Sequence, residues 1–179
     1  MNRTTIAAVL TCITVLSAGA VKVHAQATPS DAQIVQIVLT ADQIDIHQAK
    51  LALQTSKNPQ VKEFANQMIS DHTALDKSVG DLAKKLNVTP QDSDISKQLN
   101  QQAADEAKKQ KVLNGKAFDK EYVSYEVAYH QAVIDAAVQV LIPNAQNAEL
   151  KGGLQNAGAP LLQGHLQHAQ ELQKSLGDD

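Results

Sequence analysis

Between Pro59 and Asn87 the positions Val61, Ala65, Met68, His72, Leu75, Val79, Leu82 and Leu86 recur at alternating spacings of four and three. That stripe predicts an amphipathic helix, opened by Pro59 in a first turn that tolerates its missing N–H. His72 stands in the middle of it, where the register asks for an aliphatic side chain. Upstream, Asp31 can cap a helix running to about Ser56, ended by Lys57-Asn58-Pro59. Downstream, "VTPQDSD" (88–94) reads as a loop with Ser93 or Asp94 as the next cap. Residues 95–114 are helical by propensity but polar, apolar only at Ile95, Leu99 and a few alanines, so this segment is expected on the surface, stopped by Gly115.

A fourth helix, about Lys116 to Ile142, carries two apolar stripes. Val123, Val127, His130, Ile134, Ala137 and Leu141 form one, and Phe118, Tyr122, Tyr125, Tyr129 and Ala132 the other. With two faces to cover, it is expected to be the most buried helix. Pro143 should end it. A fifth helix, about Asn147 to Leu176, carries Leu150, Leu154, Ala157, Leu161, His165, His168 and Leu172, and its Gly152-Gly153 and Gly158-Ala159-Pro160 mark it as the one to kink. No stretch alternates with the period of a strand. The pattern predicts an all-α fold: a ferritin-like four-helix bundle with a long helical crossover between bundle helices two and three.

Counted from the end of the bundle where Lys57 turns the chain, His47, His72, His130 and His165 lie 10, 13, 14 and 11 residues in. They fall within about 6 Å of rise, one from each long helix. Converging imidazoles suit iron, copper, zinc or nickel, so these four are candidate metal ligands. Glu126 precedes His130 by one turn and is a candidate ligand with them, while Asp71, Asp45, His168 and Tyr129 are candidate supporting groups. The same histidines can instead hydrogen-bond to Tyr129, Tyr125 or a main-chain carbonyl and fix helix register without binding anything. Tyr122, Tyr125 and Tyr129, with Phe118, read as an aromatic core.

Residues 1–25 contain Arg3 in a short basic start, an apolar run from Ile6 to Ala20 and Val23-His24-Ala25, the succession expected of a secretory signal peptide. A short leader (26–30) and a bundle domain (31–179) would follow, with Ala27 as an alternative cleavage point. Cys12, the only cysteine, lies in the apolar run and lacks the small residues that precede a lipoprotein cysteine. The expected mature chain therefore has no disulfide, thiolate site or cysteine nucleophile. Removing Arg3 and Lys22 leaves 14 basic residues (16 − 2) against 19 acidic ones, a net charge of −5. That balance argues against nucleic acid as a partner, and no later stretch has the apolar length of a membrane span. No Ser/His/Asp series, phosphate-binding loop or covalent haem motif is present.

"NPQVKEFANQMISDHTALDK" (58–77), "AFDKEYVSYEVAYHQAVIDAA" (117–137) and "APLLQGHLQHAQEL" (159–172), in that order, resemble a widespread family of exported bacterial ferritin-like proteins of unknown function, often labelled predicted outer membrane proteins. The resemblance runs from about Asp31 to Leu176. It implies a ferritin-like fold and an exported location, and carries His72, His130 and His165 over as the family's characteristic histidines. It also implies a first-helix glutamate where His47 appears to stand, which would make a shared site richer in nitrogen here. Two departures limit it. The di-iron pattern of ferritins needs Glu-x-x-His pairs, and Glu126 and His130 are four apart. A barrel of the outer membrane would need alternating strands, and the sequence has none.

Three roles stay open at this point. The first is a non-enzymatic periplasmic metal binder or sensor, linked to metal handling or stress. The second is a metal-free structural or interaction protein. The third, weaker, is an iron-dependent oxidase or peroxide-detoxifying enzyme, which needs an open coordination position.

Overall fold

The structure is a computed structural model, and it describes residues 28–177. The expected signal peptide lies outside the described residues. Five helical rods make up the fold, with no strand among the described residues: α1 (Asp31–Thr55), α2 (Pro59–Lys85), α3 (Asp94–Gln110), α4 (115–144) and α5 (148–177). Ser30 caps α1, rather than Asp31. Its hydroxyl accepts from Gln33 N–H while the Gln33 side chain accepts from Ser30 N–H, a reciprocal box. Asp31 is thereby free to accept from the main-chain N–H groups of Gln146 and Asn147, which ties the start of α1 to the turn between α4 and α5.

Those bonds fix the topology. Gln91 N–H donates to Ala32 C=O, so the loop after α2 also lies at this end. Ser175 and Gln60 meet at the other end, beside the turn between α1 and α2. The chain therefore forms two helical hairpins, α1–α2 and α4–α5, and α3 carries it back along the bundle so that α2 and α4 run parallel. α3 packs chiefly on α1 and is polar elsewhere, as its composition predicts. It ends at Gln110, and Gly115, at φ 54°, opens α4 instead of stopping α3.

α4 is not the most buried helix. Twelve of the 25 residues of α1 are buried, against eight of the 22 in Gly115–Ala136. The reason is α3: by lying on α1 it covers a face that would otherwise meet water, and α1 ends up enclosed by α2, α3 and α4.

Both expected break points become wider turns rather than ends. At Ala137–Leu141 and Leu154–Gly158 the backbone bonds five residues back, as Ile142 N–H does to Ala137 C=O and Ala159 N–H to Leu154 C=O. Pro143 and Pro160 each follow such a stretch by two residues. A proline within a helix donates no bond and clashes with the carbonyl four residues back, and the wider turn absorbs both defects without ending the rod.

Two apolar cores lie along the bundle. One is built around Phe64, Met68, Phe118, Tyr122 and Leu172, the other around Ile34, Val35, Leu141, Leu150 and Leu154. Between them, at the level of α1 residues 42–45, the interior turns polar.

Candidate metal centre

Each of the two hairpins contributes to this polar layer. α2 supplies His72, α4 supplies Glu126 and His130, α5 supplies His165, and α1 supplies Asp42 and Asp45. The three histidines are at most 1% exposed and the three carboxyl groups at most 2%. Ring centroids are 5.8 Å apart for His72 and His130, 5.1 Å for His72 and His165, and 5.4 Å for His130 and His165, a nearly regular triangle.

One nitrogen of each ring is held from outside the triangle. His72 Nδ1 lies 2.9 Å from Asp42 Oδ1, His165 Nε2 lies 3.0 Å from Asp71 Oδ2, and His130 Nδ1 donates to the main-chain carbonyl of Glu126 at 3.0 Å. The remaining nitrogens, His72 Nε2, His130 Nε2 and His165 Nδ1, are buried with no hydrogen-bond partner. His72, His130 and His165 each offer a ligand atom within 4.8 Å of the others, and Asp45, Glu126 and His130 form a second such set. Zinc–nitrogen bonds of about 2.0–2.1 Å place tetrahedral donors roughly 3.4 Å apart, so closing on an ion takes small side-chain rotations.

The electrostatics match a site that awaits a cation. Burial drives His72 below its ordinary value, aided by His130 and opposed by Asp45. Burial likewise pushes His165 down to about 4 against the Asp71 hydrogen bond, with His72 and His130 adding to the fall. Both rings are neutral at pH 7 and keep a lone pair. Burial raises Asp42 to about 8, with Asp76 adding to it, and raises Asp45 to about 8, with Glu126 adding and the histidines opposing. Glu126 is raised to about 7 by burial against its contacts with Asp45 and Tyr122. Asp42 Oδ2, Asp45 Oδ1 and both oxygens of Glu126 have no hydrogen-bond partner. An unsatisfied buried polar group costs about 1–3 kcal/mol, so several in one layer are a large burden on a small bundle. A bound cation would relieve it, taking nitrogen lone pairs on one side and carboxylate oxygens on the other.

The other sequence candidates go elsewhere. His47 is exposed and lines a shallow groove between α1 and α3 with Gln43, Gln48 and Asn100, away from the triangle. At about 100° per residue it points about 200° from Asp45 on the same helix. Levelling the histidines by depth ignored that rotation. The nitrogen-rich site expected from His47 gives way to one whose α1 contribution is Asp42 and Asp45. His168 Nδ1 lies 2.9 Å from Gln67 Oε1 with its ring edge-on to Phe64, outside the triangle. Tyr129 donates its hydroxyl to Ala41 C=O at 3.1 Å, packs its ring on Tyr125 and sets its edge 6.2 Å from His130. Asp42 was missed. The signal was present: Val35, Val38, Asp42, Asp45, Ala49 and Ala52 recur at alternating spacings of three and four, with two aspartates in the apolar stripe just as His72 interrupts that of α2.

The fold and this layer define a class: an all-helical bundle with a buried histidine and carboxylate cluster at mid-height. The chain belongs to the family described as "Domain of unknown function (DUF4142)", whose model matches residues 17–172. Among solved structures, "CopM in the Cu(II)-bound form" is similar in fold, with a TM-score of 0.61 over 83% of this chain and 98% of that chain, at 14% sequence identity. Comparison with the curated proteins gives no match. No described helix is long and apolar enough to cross a membrane.

Proposed function

We propose that this protein is an exported, ferritin-like helical bundle that binds one divalent transition-metal ion through His72 Nε2, His130 Nε2 and His165 Nδ1, with Asp45 and Glu126 as oxygen donors. The observation that carries the reading is the three unpartnered, buried nitrogens facing one another, each on a ring whose other nitrogen is held by an acceptor. Bound histidines characteristically have such an outer partner, which sets the tautomer and aims the lone pair. The single long crossover supports the ferritin-like assignment. The basic start, apolar run and small-residue site of residues 1–25 support export.

Copper(II) is the first ion to test. It leads the divalent series in affinity for nitrogen and oxygen donors, and CopM, similar in fold, is described in a Cu(II)-bound form. Electron paramagnetic resonance of the protein with one equivalent of Cu(II) should show coupling to imidazole nitrogens that weakens in His165→Ala. A spectrum equal to that of aqueous copper, or one untouched by that substitution, would refute the site.

The hydrogen bonds that the three rings make to Asp42, Glu126 C=O and Asp71 also favour a second reading, a metal-free bundle whose polar layer only fixes register. It predicts a folded protein that takes up no ion.

A further inference from the structure

On the side of the histidine layer away from Phe64 the bundle opens into a cleft of about 140 Å3. Both wide-turn stretches line it, through Ala137, Leu141, Leu154 and Gly158, so the departures from regular helix in α4 and α5 fall on one space. Its mouth lies at the exposed Ala132, Gly153 and Ala157. Its walls are almost entirely hydrocarbon, with Ile37, Leu75, Val79 and Leu82 along α1 and α2. Asp42, Asp45 and His72 contribute its polar portion.

Two features specify an occupant. Asp42 Oδ2 and Asp45 Oδ1 are buried and without a hydrogen-bond partner, and both residues line the cleft. No lysine or arginine lines it, and Asp76 lies close enough for its charge to act on Asp42. An apolar channel of negative potential selects for a cation that is mostly hydrocarbon. A strongly hydrated metal ion gains nothing from such walls, and a carboxylic acid is repelled by the acids. An apolar cavity of about 150 Å3 accepts a molecule the size of benzene, which sets the scale.

We propose that the cleft binds a small primary amine with an apolar body, of hexylamine or benzylamine size, whose ammonium donates to Asp42 and Asp45 while its hydrocarbon lies along Leu75, Val79 and Leu82. This goes beyond the metal reading and does not depend on it, because Asp42 Oδ2 and the apolar walls lie outside the three-nitrogen set.

Calorimetric titration of the metal-free mature protein with hexylamine, 1-hexanol and hexanoate tests it. Hexylamine should bind at one equivalent, at least about tenfold tighter than hexanol, the factor a hydrogen bond to a charged group carries. Hexanoate should not bind. Asp42→Asn should remove the advantage of the amine over the alcohol, and Gly158→Leu, which puts a side chain into the cleft, should remove both ligands. His165→Ala, whose side chain does not line the cleft, should bind hexylamine as the parent does while losing the metal, so failure of one site is distinguishable from failure of the other. Equal affinity for the three hexyl compounds, or no hexylamine binding by folded parent protein, would overturn the proposal whatever the variants do.

Discussion

His130 donates its Nδ1 proton to the main-chain carbonyl of Glu126, one helical turn earlier, at 3.0 Å. A carbonyl oxygen only accepts, so the backbone of α4 itself fixes the tautomer and leaves Nε2 as a lone pair in the centre of the bundle. No side-chain substitution can remove that partner. For His72 and His165 the corresponding partners are the carboxyl groups of Asp42 and Asp71, which can be changed.

That difference predicts a graded response. His72→Ala and His130→Ala remove a donor each and should abolish stoichiometric binding, a loss greater than about a hundredfold. Asp71→Asn keeps His165 but weakens its outer partner, and should cost roughly tenfold to a hundredfold in affinity. His47→Ala should change nothing. Equilibrium titration of the four variants with a competing chelator checks the order, and a His47 effect as large as that of His72 would contradict the geometry.

Binding should release protons. Asp45, Glu126 and Asp42 hold protons near neutrality because burial penalises their charge, and an ion seated beside them removes that penalty. Calorimetry of metal binding at pH 7 in buffers of different ionisation enthalpy should show at least one proton released per ion. Buffer-independent heats would contradict it.

The metal-free protein should lose stability as pH rises from about 6.5 to above 8. Asp42 and Asp45 at about 8 and Glu126 at about 7 lie above their unfolded values, so the folded state holds more protons through this window. Stability from a raised group is lost as pH climbs through its folded value. The lowered His72 and His165 act the other way, but only below their unfolded value of 6.5, where they offset part of the carboxyl effect. Urea unfolding from pH 5 to 9 should show a shallow profile below 6.5 and a falling one above it, flattened by bound metal. A midpoint that rises between pH 6.5 and 8 would refute the protonated carboxyl layer.

The core below the layer should behave as ordinary packing. Phe64 is fully buried and meets Tyr122 and His168 edge-on. Phe64→Ala should destabilise by about 3–5 kcal/mol through lost contact and a residual cavity, without changing which metal is bound. Denaturant unfolding together with a metal titration separates the two.

How much of this was legible in the chain divides along physical lines. Helix positions follow from the 3.6-residue period, and α2 emerged nearly residue for residue because its stripe is unbroken except at His72. His72, His130 and His165 were legible as polar interruptions of apolar stripes. His47 was not resolved correctly, because depth along a helix is one coordinate and rotation about it is another. Asp42 shows the complementary error: the stripe of α1 contains it, but attention to histidines concealed aspartates at equivalent places. The burial of α1 was beyond reach of local pattern, since it depends on which rod α3 covers. The wide turns before Pro143 and Pro160 were legible only as defects, because sequence marks where a regular helix fails and packing decides whether the rod ends, kinks or widens.

The most direct test of the central claim is elemental analysis of the mature protein, purified without an affinity tag and re-equilibrated against a dilute mixture of iron, copper, zinc, nickel and manganese. The account predicts close to one equivalent of a single transition metal retained by the parent and by His47→Ala, and none by a folded His130→Ala. A parent protein that is folded and helical yet retains no metal would contradict it.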